Sequence, residues 1–218
     1  FRMTLKNYFF ALVFLVWNNL CWAQNGSQPP LVELKTDIGS IILELNIDKA
    51  PVTVNNFLEH VSNYHYDGVI FHRVIKNFMI QSGGFTFDLT PKDTDRNPIA
   101  NESKNGLSNK RGSIAMARTG DPNSGKAQFF INHKDNIFLD GADDKWGYAV
   151  FGQVKFGMSV VDKIAEMKTQ KLFGPFTDIP QKRPMILSAK IISQGSWIKE
   201  EKAIPSLIER PIPLTEIM

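Results

Sequence analysis

Among the 218 residues there is one cysteine, Cys21. A single thiol cannot build a disulfide framework or a cysteine-based zinc finger. The four histidines, His60, His65, His72 and His133, show neither HExxH nor HxH spacing, which argues against a zinc enzyme. The chain also lacks GxGxxG, the P-loop pattern GxxxxGKS or GxxxxGKT, and GxSxG, which argues against nucleotide-dependent and α/β-hydrolase chemistry. No metal or other cofactor is therefore expected. No block of like charge occurs and the formal net charge is +3, so there is no sign of a nucleic-acid-binding tail. What remains is 43% hydrophobic and 22% charged, a globular composition.

Charge is also scarce at the N-terminus, where Arg2 and Lys6 are the only charged residues before Glu33. They precede an apolar run, Phe9 to Trp17. Such a run suits the core of a signal peptide and falls well short of the roughly 20 residues that span a bilayer. Cys21-Trp22-Ala23 places small residues at the −3 and −1 positions of a cleavage site after Ala23. Residues 1–23 are thus expected to be an export signal. The competing readings are an uncleaved anchor and lipidation at Cys21, although Asn18-Asn19-Leu20 lacks the small residues of a lipidation motif. Cleavage would remove two basic residues and the cysteine, leaving a nearly neutral, thiol-free chain with no second long apolar run. Neither nucleic acid nor stable membrane attachment is expected of it. The signal alone predicts the periplasm in a diderm bacterium and secretion or a lumen in other cells; the periplasm is the expected location because of the bacterial character of the sequence blocks described below.

The rest predicts a β-rich domain over 32–194, after a polar lead-in over 24–31 and before a tail over 195–218. Val32–Thr36 and Ser40–Leu45 alternate apolar and polar residues around Asp37-Ile38-Gly39, as in a β-hairpin. Residues 52–62 have apolar residues at helical spacing (Val54, Phe57, Leu58, Val61), with Thr53 a candidate N-cap. Strands are expected at Val69–Val74, Phe78–Gln81, Ser113–Ala117, Gln128–Asn132, Tyr148–Val154 and Met185–Ile192. A second helix is expected at Val160–Met167. The polar stretch Asp88 to Arg111 is too long for a simple turn, and such loops are functional or lean on the body of a fold. Many short strands with two helices point to a sandwich or a closed barrel.

The unusual chemistry lies in the middle of the chain. Arg73 stands in an otherwise apolar run, Phe71-His72-Arg73-Val74-Ile75, and arginine is rarely buried unpaired. It either forms a structural ion pair or faces a ligand on a concave surface. Strict alternation would put Phe71 and Arg73 on one face and His72 and Val74 on the other. Gln128-Phe129-Phe130-Ile131-Asn132 again mixes amides with aromatics. Either block alone is better read as core aromatics with satisfied polar neighbours.

Together the blocks are distinctive. Phe71-His72-Arg73-Val74-Ile75-x-Asn77-Phe78-Met79-Ile80-Gln81-x-Gly83 closely resembles the signature of the cyclophilin family of peptidyl-prolyl cis–trans isomerases. Gly112 to Arg118, Ser124-x-x-Ala127-Gln128-Phe129-Phe130-Ile131, Phe138-Leu139-Asp140 and Tyr148 to Val154 resemble four further family blocks, in order. The wording is similar to that of bacterial exported members, and the likeness spans about 32–194.

The resemblance implies a mainly β fold, a closed eight-stranded antiparallel barrel capped by two α-helices, with an active-site groove on its outside. It implies rotation about X–Pro bonds of proline-containing polypeptides, by a monomer. Arg73, Phe78, Gln81 and Phe130 match the family's catalytic set, with Arg73 as the cationic donor. His72, Met79, Ala117, Arg118, Thr119, Phe138, Leu139 and Tyr148 match its substrate-binding positions, although His72 can equally be a packed, hydrogen-bonded histidine. The chain departs from the pattern at Lys76, where proline is usual, and at Ser82, where glycine is usual. Phe138 and Tyr148 replace the tryptophan and histidine of many eukaryotic members. Phe138 lacks an indole N–H donor, so weak cyclosporin binding is expected. The alternative to an isomerase is a prolyl-peptide-binding chaperone or scaffold with incidental catalysis, and the tail is the one feature that favours it.

Overall fold

The computed structural model describes residues 28–192. The export signal expected at 1–23, residues 24–27 of the lead-in and the tail lie outside the described residues. Among the described residues, no helix is long and apolar enough to cross a membrane.

The chain opens with the expected hairpin. Strand β1 (Leu31–Thr36) turns into β2 (Gly39–Leu45), and the Thr36 hydroxyl donates to the Gly39 carbonyl at 2.5 Å. Helix α1 (Pro51–Ser62) follows, then β3 (Arg73–Ile75), β4 (Met79–Ser82), β5 (Ser113–Met116) and β6 (Phe129–Asn132). A single 3-10 turn (Ile137–Leu139) leads to β7 (Val150–Phe156) and helix α2 (Met158–Ala165). A two-stranded ribbon, β8 (Thr169–Gln170) with β9 (Ile179–Pro180), precedes the last strand, β10 (Ile186–Ile192).

Eight strands form one antiparallel sheet in the order β10-β1-β2-β7-β5-β6-β4-β3. The sheet curls until its ends meet. Gly68 N–H donates to the Ile186 carbonyl at 2.8 Å, Ile186 N–H to the Val69 carbonyl at 2.8 Å, and Phe71 N–H to the Pro184 carbonyl at 2.9 Å. The seam thus joins residues just before β3 to residues 184–186 at the start of β10, without a β3–β10 ladder. Both helices bury one face in the core: Val54, Phe57 and Val61 from α1, and Val160, Val161 and Ile164 from α2. Gly157, between β7 and α2, has φ +87°, and a Cβ there would lie 2.2 Å from the Ser40 carbonyl oxygen. Only glycine fits that corner.

Two local expectations give way. Ala50, not Thr53, is the N-cap of α1, and Pro51 takes the first turn. The exposed amides are satisfied by Glu102, far along the chain. Its carboxylate accepts from Val52 N–H (3.1 Å), Thr53 N–H (2.8 Å) and the Thr53 hydroxyl (2.6 Å). The strand expected over Val69–Val74 is broken by an irregular step at residues 71–72. Phe71 and Val74 therefore both enter the interior core, against simple alternation.

Candidate active site

Three neighbouring strands divide their side chains between two clusters. Ile80, Ile114, Phe129 and Ile131 point into the barrel. The alternate residues Met79, Ala115 and Phe130, with Val150, form a second cluster on the outside. Phe78, Leu107, Ala117, Leu139 and Tyr148 pack against it and leave it partly open. The register makes a continuous cross-strand row. Arg73 lies opposite Gln81, Gln81 opposite Phe130, Phe130 opposite Ala115, and Ala115 opposite Val150. Residues in such a row share one face of a sheet. A guanidinium, an amide and an aromatic ring therefore stand side by side at the edge of an apolar patch.

The parts around the row are held firmly. The edge of Phe130 meets Tyr148, with ring centroids 5.5 Å apart, and Phe78 stacks on Phe138 at 5.9 Å. Arg118 lies over the Tyr148 ring at 4.6 Å and donates to the carbonyls of Gly147, Thr119 and Trp146. Gln81 donates to the Gln128 side-chain carbonyl at 2.9 Å. Gln81, Gln128, Ala117, Arg118 and Thr119 line a cavity of about 220 Å³ that continues the patch. A larger cleft of about 520 Å³ shares Leu107 and Val150 with the cluster but contains none of the sequence-predicted site residues. Its size does not make it the site, because it lacks both Arg73 and an aromatic wall.

Arg73 is about two-fifths exposed, and its Nε lies 3.8 Å from Asp178 on the strand-edge ribbon. The turn between β3 and β4 has Asn77 at φ 57°, and Asn77 N–H donates to His133 Nδ1 at 3.0 Å. His133 Nδ1 must then be the acceptor, leaving Nε2–H to face Asp162 at 3.2 Å. On the other side a buried amide network fixes the 3-10 turn. Asn136 donates to the Phe78 carbonyl and to Asn132 Oδ1, both at 2.8 Å, and Asn132 donates to Asn109 at 3.1 Å. Asp140 accepts from Asn109 and Ser108. Both networks converge on Phe78, whose ring forms one wall of the patch.

Eleven of the twelve sequence-predicted site residues border this surface: Arg73, Phe78, Met79, Gln81, Ala117, Arg118, Thr119, Phe130, Phe138, Leu139 and Tyr148. His72 does not. It is 5% exposed, its ring meets the edge of Phe85 at 4.8 Å, and burial pushes its pKa down to about 4. It lies behind the surface as a packed neutral histidine. Gln128, Asn132, His133, Asn136 and Asp178 also serve the site but escape sequence reasoning. The only local signal was polar residues set among apolar ones, at Gln128 and Asn132.

A profile of the cyclophilin-type peptidyl-prolyl cis-trans isomerase family matches residues 31–191. A peptidyl-prolyl cis-trans isomerase of Streptomyces antibioticus is 54% identical over 164 residues, covering 74% of this chain and 98% of that protein. Peptidyl-prolyl cis-trans isomerase A of Dickeya dadantii is 50% identical, covering 75% of this chain and 85% of its own. Peptidyl-prolyl cis-trans isomerase B of Escherichia coli is 46% identical, covering 74% and 99%. Among solved structures, a Cryptosporidium parvum cyclophilin crystallised in the presence of the dipeptide Ala-Pro superposes with TM-score 0.62 at 25% identity, covering 75% of this chain and 99% of that one. An outward groove on a curled eight-stranded sheet, the profile match and these relatives agree: the chain belongs to the cyclophilin family and is a peptidyl-prolyl cis–trans isomerase.

Proposed function

We propose that the chain speeds X–Pro isomerisation in the folding of exported proteins, with Arg73 stabilising the twisted amide. The row Arg73–Gln81–Phe130 at the edge of the apolar patch carries this reading. The reaction breaks no bond between heavy atoms. Its barrier of about 18–20 kcal/mol is the partial double-bond character of C–N. As the amide twists, nitrogen becomes pyramidal and regains a lone pair. A cationic donor aimed at that nitrogen binds the twisted form more tightly than the planar one, and only such differential binding accelerates the step. Arginine suits the role because its charge is permanent and its fork is stiff.

The other groups serve placement. Met79, Phe130 and Leu139 offer apolar surface for the proline ring. Gln81 presents an amide to the substrate backbone beside Arg73. Ala117, Arg118 and Thr119 lie where the residues before proline would run. Uncatalysed isomerisation takes tens of seconds or longer, slow enough to limit folding. A protease-coupled prolyl-peptide assay on the protein tests this reading. A rate rising in proportion to protein concentration supports it. Peptide binding without acceleration would leave only a prolyl-peptide-binding module.

The export route is part of the same proposal and rests on Arg2, Lys6, the run Phe9–Trp17 and Cys21-Trp22-Ala23. N-terminal sequencing of protein released by osmotic shock should begin at Gln24. Recovery only with membranes, with residues 1–23 intact, would contradict it.

A further inference from the structure

The β8–β9 ribbon brings a carboxylate to the outer side of Arg73. Asp178 sits between two deeply buried anchors, Phe176 (2% exposed) and Ile179 (0%), which pack with Ile70 in a small separate core. Its carbonyl accepts Val74 N–H at 2.9 Å, so its backbone is fixed to the residue next to Arg73. Its Oδ2 takes the Thr177 hydroxyl at 2.8 Å and faces Arg73 Nε at 3.8 Å. Among the described residues, Asp178 is the one ion-pair partner of Arg73.

We propose that Asp178 is a positioning residue for the isomerase reaction: it holds the Nε side of the Arg73 guanidinium, so that the terminal N–H groups stay turned toward Gln81 and the bound prolyl amide. The inference rests on the role given to Arg73 above. An arginine side chain loses considerable rotamer freedom when it is fixed. A partner that orders it before substrate arrives lowers the entropy lost on reaching the transition state. The pair is partly exposed, so its influence is modest and is screened by salt.

The test uses Asp178→Asn, which keeps the side-chain shape and the backbone contact to Val74. Its kcat/KM for a neutral prolyl peptide should fall roughly two- to five-fold, carried by kcat, with an unchanged melting temperature. Raising ionic strength should lower wild-type kcat/KM toward that of the Asp178→Asn variant and leave the variant flat. In an Arg73→Ala background, Asp178→Asn should have no further effect, since Asp178 acts through Arg73. If Asp178→Asn matches or exceeds wild type while Arg73→Ala is impaired, the positioning role is overturned. Equal losses in both backgrounds would also overturn it. If Arg73→Ala itself is unimpaired, the reading of Arg73 fails instead, and the two failures are distinguishable.

Discussion

In the proposed mechanism, single side chains divide into a donor, a pocket and their supports. An arginine in an apolar run and a paired aromatic block draw attention to Arg73 and Phe130, but only the resemblance of the ordered blocks to a family assigns them to a site. His72 shows where that reasoning stops. Its place in the same block made it a candidate for the groove edge, but an irregular step before β3 turns it inward against Phe85. Phe138 carries the clearest prediction at this scale. It is 61% exposed and stacks on Phe78, so a larger ring is accommodated there. Phe138→Trp adds an indole N–H donor at the rim. It should tighten cyclosporin inhibition while changing isomerase activity little. Inhibition of the unmutated protein at nanomolar cyclosporin would contradict this account.

At the scale of elements, the strands were readable from alternation, and their ends were set by tertiary contacts. The hairpin β1–β2 came through closely because its register is fixed by a local turn and a buried face. The start of α1 did not, because its cap arrives from Glu102, about fifty residues downstream. No local pattern of propensity or capping records that contact. The ribbon β8–β9 leaves no mark in the sequence, because two-residue strands are too short to show a periodicity. The long loop from Asp88 to Arg111 does lean on the body of the fold. Lys92 donates to the Asp67 carbonyl at 2.7 Å, Ile99 N–H to the Gly125 carbonyl at 2.9 Å, and Asn105 to the Val150 carbonyl at 3.0 Å. Glu102→Ala leaves the first amides of α1 without their acceptor. It should cost about 1–3 kcal/mol in urea denaturation. A loss below about 0.5 kcal/mol would show that water replaces the carboxylate freely.

For the molecule as a whole, stability should fall in acid. His60, His65 and His72 are buried, and burial lowers the pKa of each from its ordinary value of 6.5. The unfolded chain therefore binds protons that the folded chain refuses, and stability falls as pH drops below 6.5. His72, held to about 4, should by itself cost about 2 kcal/mol at pH 5. Urea midpoints measured from pH 7.5 to 5 should fall, and His72→Phe should flatten that slope. An unchanged slope would contradict a neutral, buried His72. The eight-stranded class was readable from the family blocks, but the way the barrel closes was not. The seam depends on residues 68–71 meeting 184–186, which are over a hundred positions apart. The central claim is that Arg73 lowers the barrier by donating to the twisted amide. Its most direct test is kcat/KM of Arg73→Ala for a prolyl peptide, with the fold checked by circular dichroism. Loss of one preorganised donor predicts a fall of about 10²- to 10³-fold with the fold intact. Activity within a few-fold of wild type would contradict the account.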